Sequence, residues 1–133
     1  MKPRFRAWDV LAEKMIDEIL MISFVRKEII GKFSDGSTSV PLKFEDERNG
    51  EDVILMQSTG LVDKNGKEIF EGDIVKMSKD VYSEPTYYEV VRHRGGAYRL
   101  DSKQHGCELW LRHTDCEVVG NVYENRELLE DKK

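Results

Sequence analysis

The residues best suited to chemistry are two cysteines and two histidines that lie close together in the sequence. They are His105, Cys107, His113 and Cys116. Imidazole and thiolate groups are the donors that zinc prefers, and four of them complete a tetrahedral shell. Their spacing, however, differs from that of the common zinc fingers and ribbons. We therefore expect no bound metal and no other cofactor, and we interpret the cysteines as small apolar strand residues and the histidines as surface residues.

The same segment also offers a cysteine nucleophile, either Cys107 or Cys116. The candidate bases are His93, His105 and His113. Such a mechanism needs a thiolate held near a base and a third group that orients the base. Neighbours on a strand often point to opposite faces, so closeness in sequence does not bring these groups together. A metal- or thiol-dependent enzyme centred on residues 105–116 is thus an alternative hypothesis, and we predict no catalytic residue.

A second candidate is a basic, aromatic surface in residues 87–112. On a hairpin, its arginines and rings would form a face on which the bases of single-stranded nucleic acid stack. The residues that we assign to this face are Arg92, Arg94, Arg99 and Trp110. The formal net charge of −5 opposes general, charge-driven binding, because such binding needs several cations on one face. A nucleic-acid-binding module is therefore disfavoured and kept as an alternative.

The elements that position these residues are predicted to be short strands separated by frequent turns. Apart from an opening strand around residues 5–7, the predicted strands are 53–56, 74–77, 87–93, 97–100, 109–111 and 116–122. Many short strands with turn signals about every 8–12 residues are typical of a small multi-stranded sandwich or a partly open barrel. A short C-terminal helix is predicted at 125–130, where Asn125 is a typical N-cap. The predicted fold class is therefore mainly β.

Three further segments have their own local signals. Residues 14–24 fit both a helical stripe and an alternating pattern, and we interpret them as a strand. Residues 31–52 are rich in Gly, Ser and Asp, and they predict a long variable loop with at most one short strand near 40–44. Asn65-Gly66 lies between apolar flanks and predicts a tight turn, because both residues tolerate positive φ angles.

Length and composition bound the class of protein. The 133 residues predict a single domain over 1–133. The longest apolar runs fall well short of the roughly 18 residues that span a bilayer, and the start lacks the apolar stretch of a signal peptide. We therefore expect the chain to stay in the cytoplasm, away from the membrane, with its two cysteines reduced.

Three segments of the chain form a distinctive pattern, and they occur in a fixed order. They are MKPRFRAWD followed by KMI at 14–16, TGLVDKNGKEIFEGDIV at 59–75, and EVVGNVYENRELLE at 117–130. Together they resemble the opening, the central block and the closing signature of the YopX family of phage and prophage proteins. The resemblance nearly reaches both termini and leaves residues 17–52 and 78–116 unmatched.

The resemblance implies a mostly β fold, a bacteriophage or prophage origin and a tendency to self-associate. It implies no reaction and no catalytic residues. Within the central block, Gly60, Gly66 and Gly72 are interpreted as turn residues, and Asp63 and Asp73 as acceptors for turn backbone.

We therefore predict a non-catalytic phage or prophage accessory protein that acts through protein–protein contacts as a homo-oligomer. Its partners would be further copies of itself and an unidentified phage or host protein. We expect the loops at 31–52 or 78–86 to present the contact. Tyr82, Tyr87 and Tyr123 would suit the core of such an interface if they are exposed.

Overall fold

The computed structural model describes residues 4–46, 51–78, 82–103 and 106–130, without the side chain of Arg94. The chain divides into two compact units, residues 1–57 and 58–133. About half of the described residues are in strands, all of the pairings are antiparallel, and the described strands close no barrel. The predicted mainly-β class is therefore confirmed, whereas the single domain over 1–133 stays a prediction. No helix in the described ranges is long and apolar enough to cross a membrane.

The N-terminal unit is one antiparallel sheet with the strand order β4-β3-β2-β1-β5. Its strands are β1 (Phe5–Asp9), β2 (Lys14–Ser23), β3 (Glu28–Phe33), β4 (Leu42–Lys43) and the first half of β5 (Val53–Val62). One face of this sheet carries a small apolar core. Its buried members are Ala7, Ile16, Ile29, Phe44 and Val53. The core is formed because four of these side chains recur on the same face of neighbouring strands, and Phe44 follows directly after β4.

Strand β2 settles the ambiguous segment 14–24 as a strand, as predicted. Its pairing with β3 shifts register twice, between Ile16 and Glu18 and again between Ile19 and Met21. Each shift moves the following side chains to the other face of the sheet. The apolar residues of β2 therefore depart from strict alternation, which explains why a helical stripe also fitted them.

The C-terminal unit holds a five-stranded antiparallel sheet with the strand order β10-β9-β8-β7-β11. These strands are β7 (Asp73–Met77), β8 (Thr86–Arg92), β9 (Tyr98–Asp101), β10 (Gly106–Glu108) and β11 (Glu117–Asn121). A further strand, β6 (Glu68–Phe70), pairs with the second half of β5. The buried core of this unit consists of Ile69, Val75, Met77, Tyr88, Val90, Leu100, Leu109, Cys116 and Val118.

The predicted strand at 109–111 is wrong, because these residues belong to a one-turn helix, α1 (Leu109–Arg112). A 3-10 turn follows at His113–Asp115. Strands β10 and β11 lie at opposite edges of the sheet, so the chain between them has to cross a sheet face. Leu109 and Cys116, at the two ends of the crossing, are both completely buried in the core. The three consecutive apolar residues at 109–111 did not indicate that the chain crosses the face of the sheet here.

The predicted loop at 31–52 is correct only after its first residues. Residues 31–33 complete β3, a strand that the glycine and serine content of the segment concealed. The short strand expected near 40–44 is β4, and residues 47–50 lie outside the described residues. The short C-terminal helix is present as a single 3-10 turn at Arg126–Leu129.

Candidate functional site

The described part of the cysteine–histidine segment, residues 106–116, consists of strand β10 and the crossing that contains α1. Cys107 is in β10 and half-buried, whereas Cys116 is completely buried just before β11. Both residues pack with the C-terminal core. His113 begins the 3-10 turn after α1, and His105 lies outside the described residues. The cysteines are therefore apolar core residues, as the sequence indicated.

The chemistry of the two thiols is that of protonated groups. Burial raises the pKa of Cys116 to about 12, and burial also raises the pKa of Cys107. The Cys116 thiol donates a hydrogen bond to the carbonyl oxygen of Arg112 at 3.2 Å. Nucleophilic and metal-binding cysteines act as thiolates, which requires the opposite shift. Both environments therefore favour an inert thiol.

The His113 ring connects two separate parts of the C-terminal unit. Its Nδ1 atom lies 2.7 Å from the carbonyl oxygen of Val62 at the end of β5, so the ring donates a hydrogen bond there. Within the described ranges, no group of three or more His, Cys, Asp and Glu side chains is placed to hold a metal ion. Because His105 lies outside those ranges, the expectation of no metal stays a prediction.

The proposed basic face is split by the geometry of the sheet. Arg92 in β8 is opposite Tyr98 in β9. Arg99, the next residue along β9, therefore points to the other face of the sheet from Arg92. The Nη1 atom of Arg99 is 2.7 Å from Glu108 Oε1, and its Nε atom is 3.9 Å from Asp101 Oδ1. The two described arginines thus do not share a face.

The fourth residue assigned to that face, Trp110, belongs instead to an apolar surface on α1. The side chains of Trp110 and Leu111 are 64% and 58% exposed. We call Trp110 and Leu111 the α1 surface. The sequence could not reveal it, because three consecutive apolar residues do not show which of them point outward.

Three contacts hold α1 in place. The His113–Val62 hydrogen bond fixes the end of the helix against β5. The Cys116 thiol binds the carbonyl oxygen of Arg112, the last helical residue. The Arg112 Nε atom also lies 3.0 Å from Asp115 Oδ2. Trp110 and Leu111 are therefore presented on a fixed helical turn, so binding would require little ordering of the backbone.

A cavity of about 270 Å³ opens beside α1. Its lining residues are Met77, Ser83, Glu84, Thr86, Tyr88, Gly106, Cys107 and Arg112. Met77 and Tyr88 are also members of the buried core, whereas Glu84 and Arg112 bring one charge of each sign, and Arg112 is paired with Asp115. We call this space the Cys107 cavity. No motif in the sequence pointed to it, because its lining comes from separate elements.

The tight turn at Asn65-Gly66 is fastened to the edge strand β11 by a buried carboxylate. Asp63 Oδ1 accepts hydrogen bonds from the N–H groups of Asn65 at 2.8 Å and Lys67 at 2.9 Å. Asp63 Oδ2 accepts one from the N–H group of Val118 at 2.9 Å. Burial alone would raise the pKa of Asp63, but the three N–H donors outweigh it and lower this pKa. The carboxylate therefore stays charged inside the fold.

A second carboxylate organises the next turn. Asp73 is 1% exposed, and its Oδ2 atom accepts a hydrogen bond from the N–H group of Phe70 at 2.8 Å. Gly72, with a φ of +88°, donates to the carbonyl oxygen of Val90 and accepts from the N–H group of Val122. The predicted structural roles of Asp63 and Asp73 as acceptors for turn backbone are thus confirmed.

The three tyrosines considered for an interface differ in exposure. Tyr82 is 95% exposed, whereas Tyr87 and Tyr123 are half-buried. Within the loop at 78–86, residues 79–81 lie outside the described residues.

Comparison with known proteins gives matches over nearly the whole chain. Residues 4–130 match the family described as YopX protein. The crystal structure of protein EF1440 from Enterococcus faecalis is similar at 30% identity and a TM-score of 0.65, covering 98% of this chain and 99% of that one. The crystal structure of protein yopX from Bacillus subtilis is similar at 30% identity and a TM-score of 0.62, covering 97% of both chains. The search of curated proteins gave no match.

Proposed function

Since the chain belongs to the YopX protein family, we propose that it is a phage or prophage protein that acts through protein–protein contacts, as a homo-oligomer, in the bacterial cytoplasm. It catalyses no reaction in this proposal. The observation that carries the proposal is the α1 surface, where a tryptophan and a leucine are exposed side by side on a fixed helical turn. Tryptophan is enriched at the centres of protein interfaces, where it supplies much of the binding energy.

The state of the thiols supports a role without catalysis. Cys116 is buried with its pKa raised to about 12, and the pKa of Cys107 is raised as well. An enzyme that used either sulfur would need a stabilised thiolate. The thiol- or metal-dependent enzyme is therefore the less favoured alternative.

The arrangement of the arginines makes nucleic-acid binding a weaker alternative. Arg92 and Arg99 point to opposite faces of the sheet, and carboxylates of Glu108 and Asp101 compensate the charge of Arg99. A single-stranded nucleic acid needs a continuous basic track beside its stacking platform. Among the described residues, this pair does not provide such a track.

The test of self-association is the mass of the purified full chain in solution. Light scattering and sedimentation from about 1 to 100 μM cover the range of micromolar dissociation constants. We expect a concentration-dependent mass that rises above the 15.5 kDa of one chain. A mass of one chain throughout this range would contradict the homo-oligomer.

The test of the mode of action is capture of partners from a bacterial lysate with and without nuclease. Trp110→Ser removes the larger side chain of the α1 surface, and Val25→Ser removes a 97% exposed apolar residue of the N-terminal unit as a matched control. We expect protein partners that survive nuclease and are lost only with Trp110→Ser. Partners that depend on nucleic acid would favour the alternative instead.

A further inference from the structure

We propose that the Cys107 cavity binds a small zwitterion, namely a free α-amino acid with an apolar side chain. This inference goes beyond the proposed function, because it requires neither a protein partner nor a second copy of the chain. Three features of one cavity support it: apolar side chains, two separated charges of opposite sign, and the hydroxyl group of a buried tyrosine.

The cavity lies where one strand of the C-terminal sheet ends before its neighbour. Strand β9 ends at Asp101, and Thr86 and Tyr88 of β8 lie beyond the residue that pairs with it. Thr86 is opposite Met77 of β7, so these side chains of β7 and β8 point to the same face of the sheet, which is the face of the buried core. Cys107 of β10 borders the same space. The sheet therefore leaves room for a ligand on its core side.

The size and depth of the cavity suit an amino acid. Its volume of about 270 Å³ is below the range of about 300–1,000 Å³ that is usual for drug-sized molecules. Met77 and Tyr88 are buried, whereas Glu84 is exposed and Arg112 is half-buried. The charged groups thus lie nearer to solvent than the apolar ones. An apolar side chain would enter the cavity, and the charged groups on the α-carbon would stay at its opening.

Arg112 can bind a carboxylate although it is already paired. Asp115 Oδ2 lies 3.0 Å from the Nε atom of Arg112, and this hydrogen bond holds the guanidinium in place. A guanidinium also carries N–H groups on both Nη atoms. Two parallel hydrogen bonds from such N–H groups are the usual way in which arginine binds a carboxylate. The α-carboxylate of the ligand would accept these bonds.

Glu84 supplies the complementary charge for an ammonium group. Of the residues that the structure describes, none forms an ion pair with Glu84, so Glu84 and Arg112 are separated charges on one cavity. Together with Asp115, they give the opening one net negative charge. A ligand that is only an anion is therefore opposed, whereas a zwitterion offers an ammonium group to Glu84 and a carboxylate to Arg112.

Tyr88 adds a hydrogen-bonding group inside the cavity. This residue is 8% exposed, and it lines the cavity. Its hydroxyl group forms no hydrogen bond within the described part of the chain, although a buried tyrosine hydroxyl usually has a partner. The carboxylate of a bound amino acid would accept this hydrogen bond beside those from Arg112.

The first experiment measures the binding of L-leucine, L-methionine and L-phenylalanine to the full chain by calorimetry and ligand-observed NMR. For each amino acid, the matching amine lacks the carboxylate and the matching carboxylic acid lacks the ammonium group. We expect a dissociation constant of about 1 mM or below for the amino acid, and binding about tenfold or more weaker for each analogue. No binding of any amino acid at about 10 mM, or equal affinity for amino acid and analogues, would overturn the inference.

The second experiment assigns each charge of the ligand to one residue. Arg112→Gln removes the group that binds the carboxylate, and Glu84→Gln removes the group that binds the ammonium. Glu18→Gln and Arg26→Gln neutralise exposed charges of the N-terminal unit and are the controls. We expect Arg112→Gln to lose the preference for the amino acid over the amine, and Glu84→Gln to lose the preference over the carboxylic acid. Variants that weaken all ligands equally would contradict these roles.

A third experiment locates the ligand without changing either charge. Thr86→Trp blocks the cavity from the exposed start of β8 and is expected to weaken binding by about tenfold or more. In the original chain, the amino acid should slow the alkylation of Cys107 by iodoacetamide, with the completely buried Cys116 as the internal standard. Binding that leaves both measurements unchanged would place the ligand elsewhere and overturn the inference. None of these measurements depends on the mass of the chain in solution, so such a failure leaves the proposed homo-oligomer unaffected.

Discussion

Replacement of Asp63 by alanine is expected to destabilise the C-terminal unit by about 3–4 kcal/mol. A hydrogen bond to a charged acceptor contributes about 1.5–3 kcal/mol, and a buried donor left without an acceptor costs a similar amount. The N–H group of Val118 loses its acceptor in a buried setting, so most of the cost arises there. The N–H groups of Asn65 and Lys67 are in an exposed turn and can bind water instead. Asp63→Asn keeps one acceptor oxygen, and we expect it to cost about 2 kcal/mol.

The loss of stability caused by Asp63→Ala is also expected to depend on pH. Although burial opposes it, the three N–H donors lower the pKa of Asp63 in the folded state, below the value of about 3.9 in an unfolded chain. The stabilisation by Asp63 is therefore complete above the unfolded-state pKa of this residue, and it is lost as pH falls through the folded-state pKa. We expect the stability difference between the original chain and Asp63→Ala to be constant from about pH 5 to 8 and to shrink below about pH 4.

The assay is chemical denaturation combined with hydrogen exchange. The midpoint and slope in urea give the free energy of unfolding, and exchange of the Val118 amide reports the local hydrogen bond. Asp17→Ala, at an exposed position of β2, is the matched control and is expected to change stability by less than about 0.5 kcal/mol. A cost below about 1 kcal/mol for Asp63→Ala, or unchanged protection of the Val118 amide, would refute the reasoning.

Two further predictions concern other parts of the fold. Gly31→Ala is expected to destabilise the N-terminal unit by about 1–3 kcal/mol, because the added Cβ would overlap the Cγ2 atom of Ile16. Urea denaturation measures this loss, with Ser34→Ala in an exposed turn as the control. Equal urea midpoints for the two variants would contradict the prediction. Burial raises the pKa of Glu89 in the folded state, and the charge of Arg126 opposes this shift. The ionised Glu89 side chain therefore destabilises the fold above its folded-state pKa, and this destabilisation is absent below its unfolded-state pKa. Glu89→Gln should therefore raise the melting temperature at pH 7 and lose this advantage near pH 4; an equal gain at both pH values would argue against it.

The accuracy of the sequence-based fold depended on whether each element was set by local chemistry. The turn at Asn65-Gly66 and the acceptor roles of Asp63 and Asp73 were predictable, because the residues that require the geometry are adjacent. The helix α1 was not, because its existence follows from the positions of β10 and β11 at opposite edges of the sheet. Strand order is a property of long-range pairing and leaves no trace in a run of three apolar residues.

The candidate site was less predictable than the fold. The interpretation of Cys107 and Cys116 as packed residues needed only their residue type and was correct. The exposure of Trp110 and the cavity beside it depend on which side of α1 each residue takes and on strands far apart in sequence. Arg92 and Arg99 were grouped as one face by composition, although the pairing of β8 with β9 separates them.

The bond between Asp63 and Val118 joins residues that are 55 positions apart. During synthesis, the Asn65-Gly66 turn and β7 therefore leave the ribosome well before the strand that completes them. Until β11 arrives, β7 has an open edge and the carboxylate of Asp63 lacks one of its donors. A truncated chain that ends before Glu117 would keep both defects permanently. The C-terminal unit thus depends on a complete chain, and prematurely terminated products are expected to be substrates for proteolysis instead of partly active fragments.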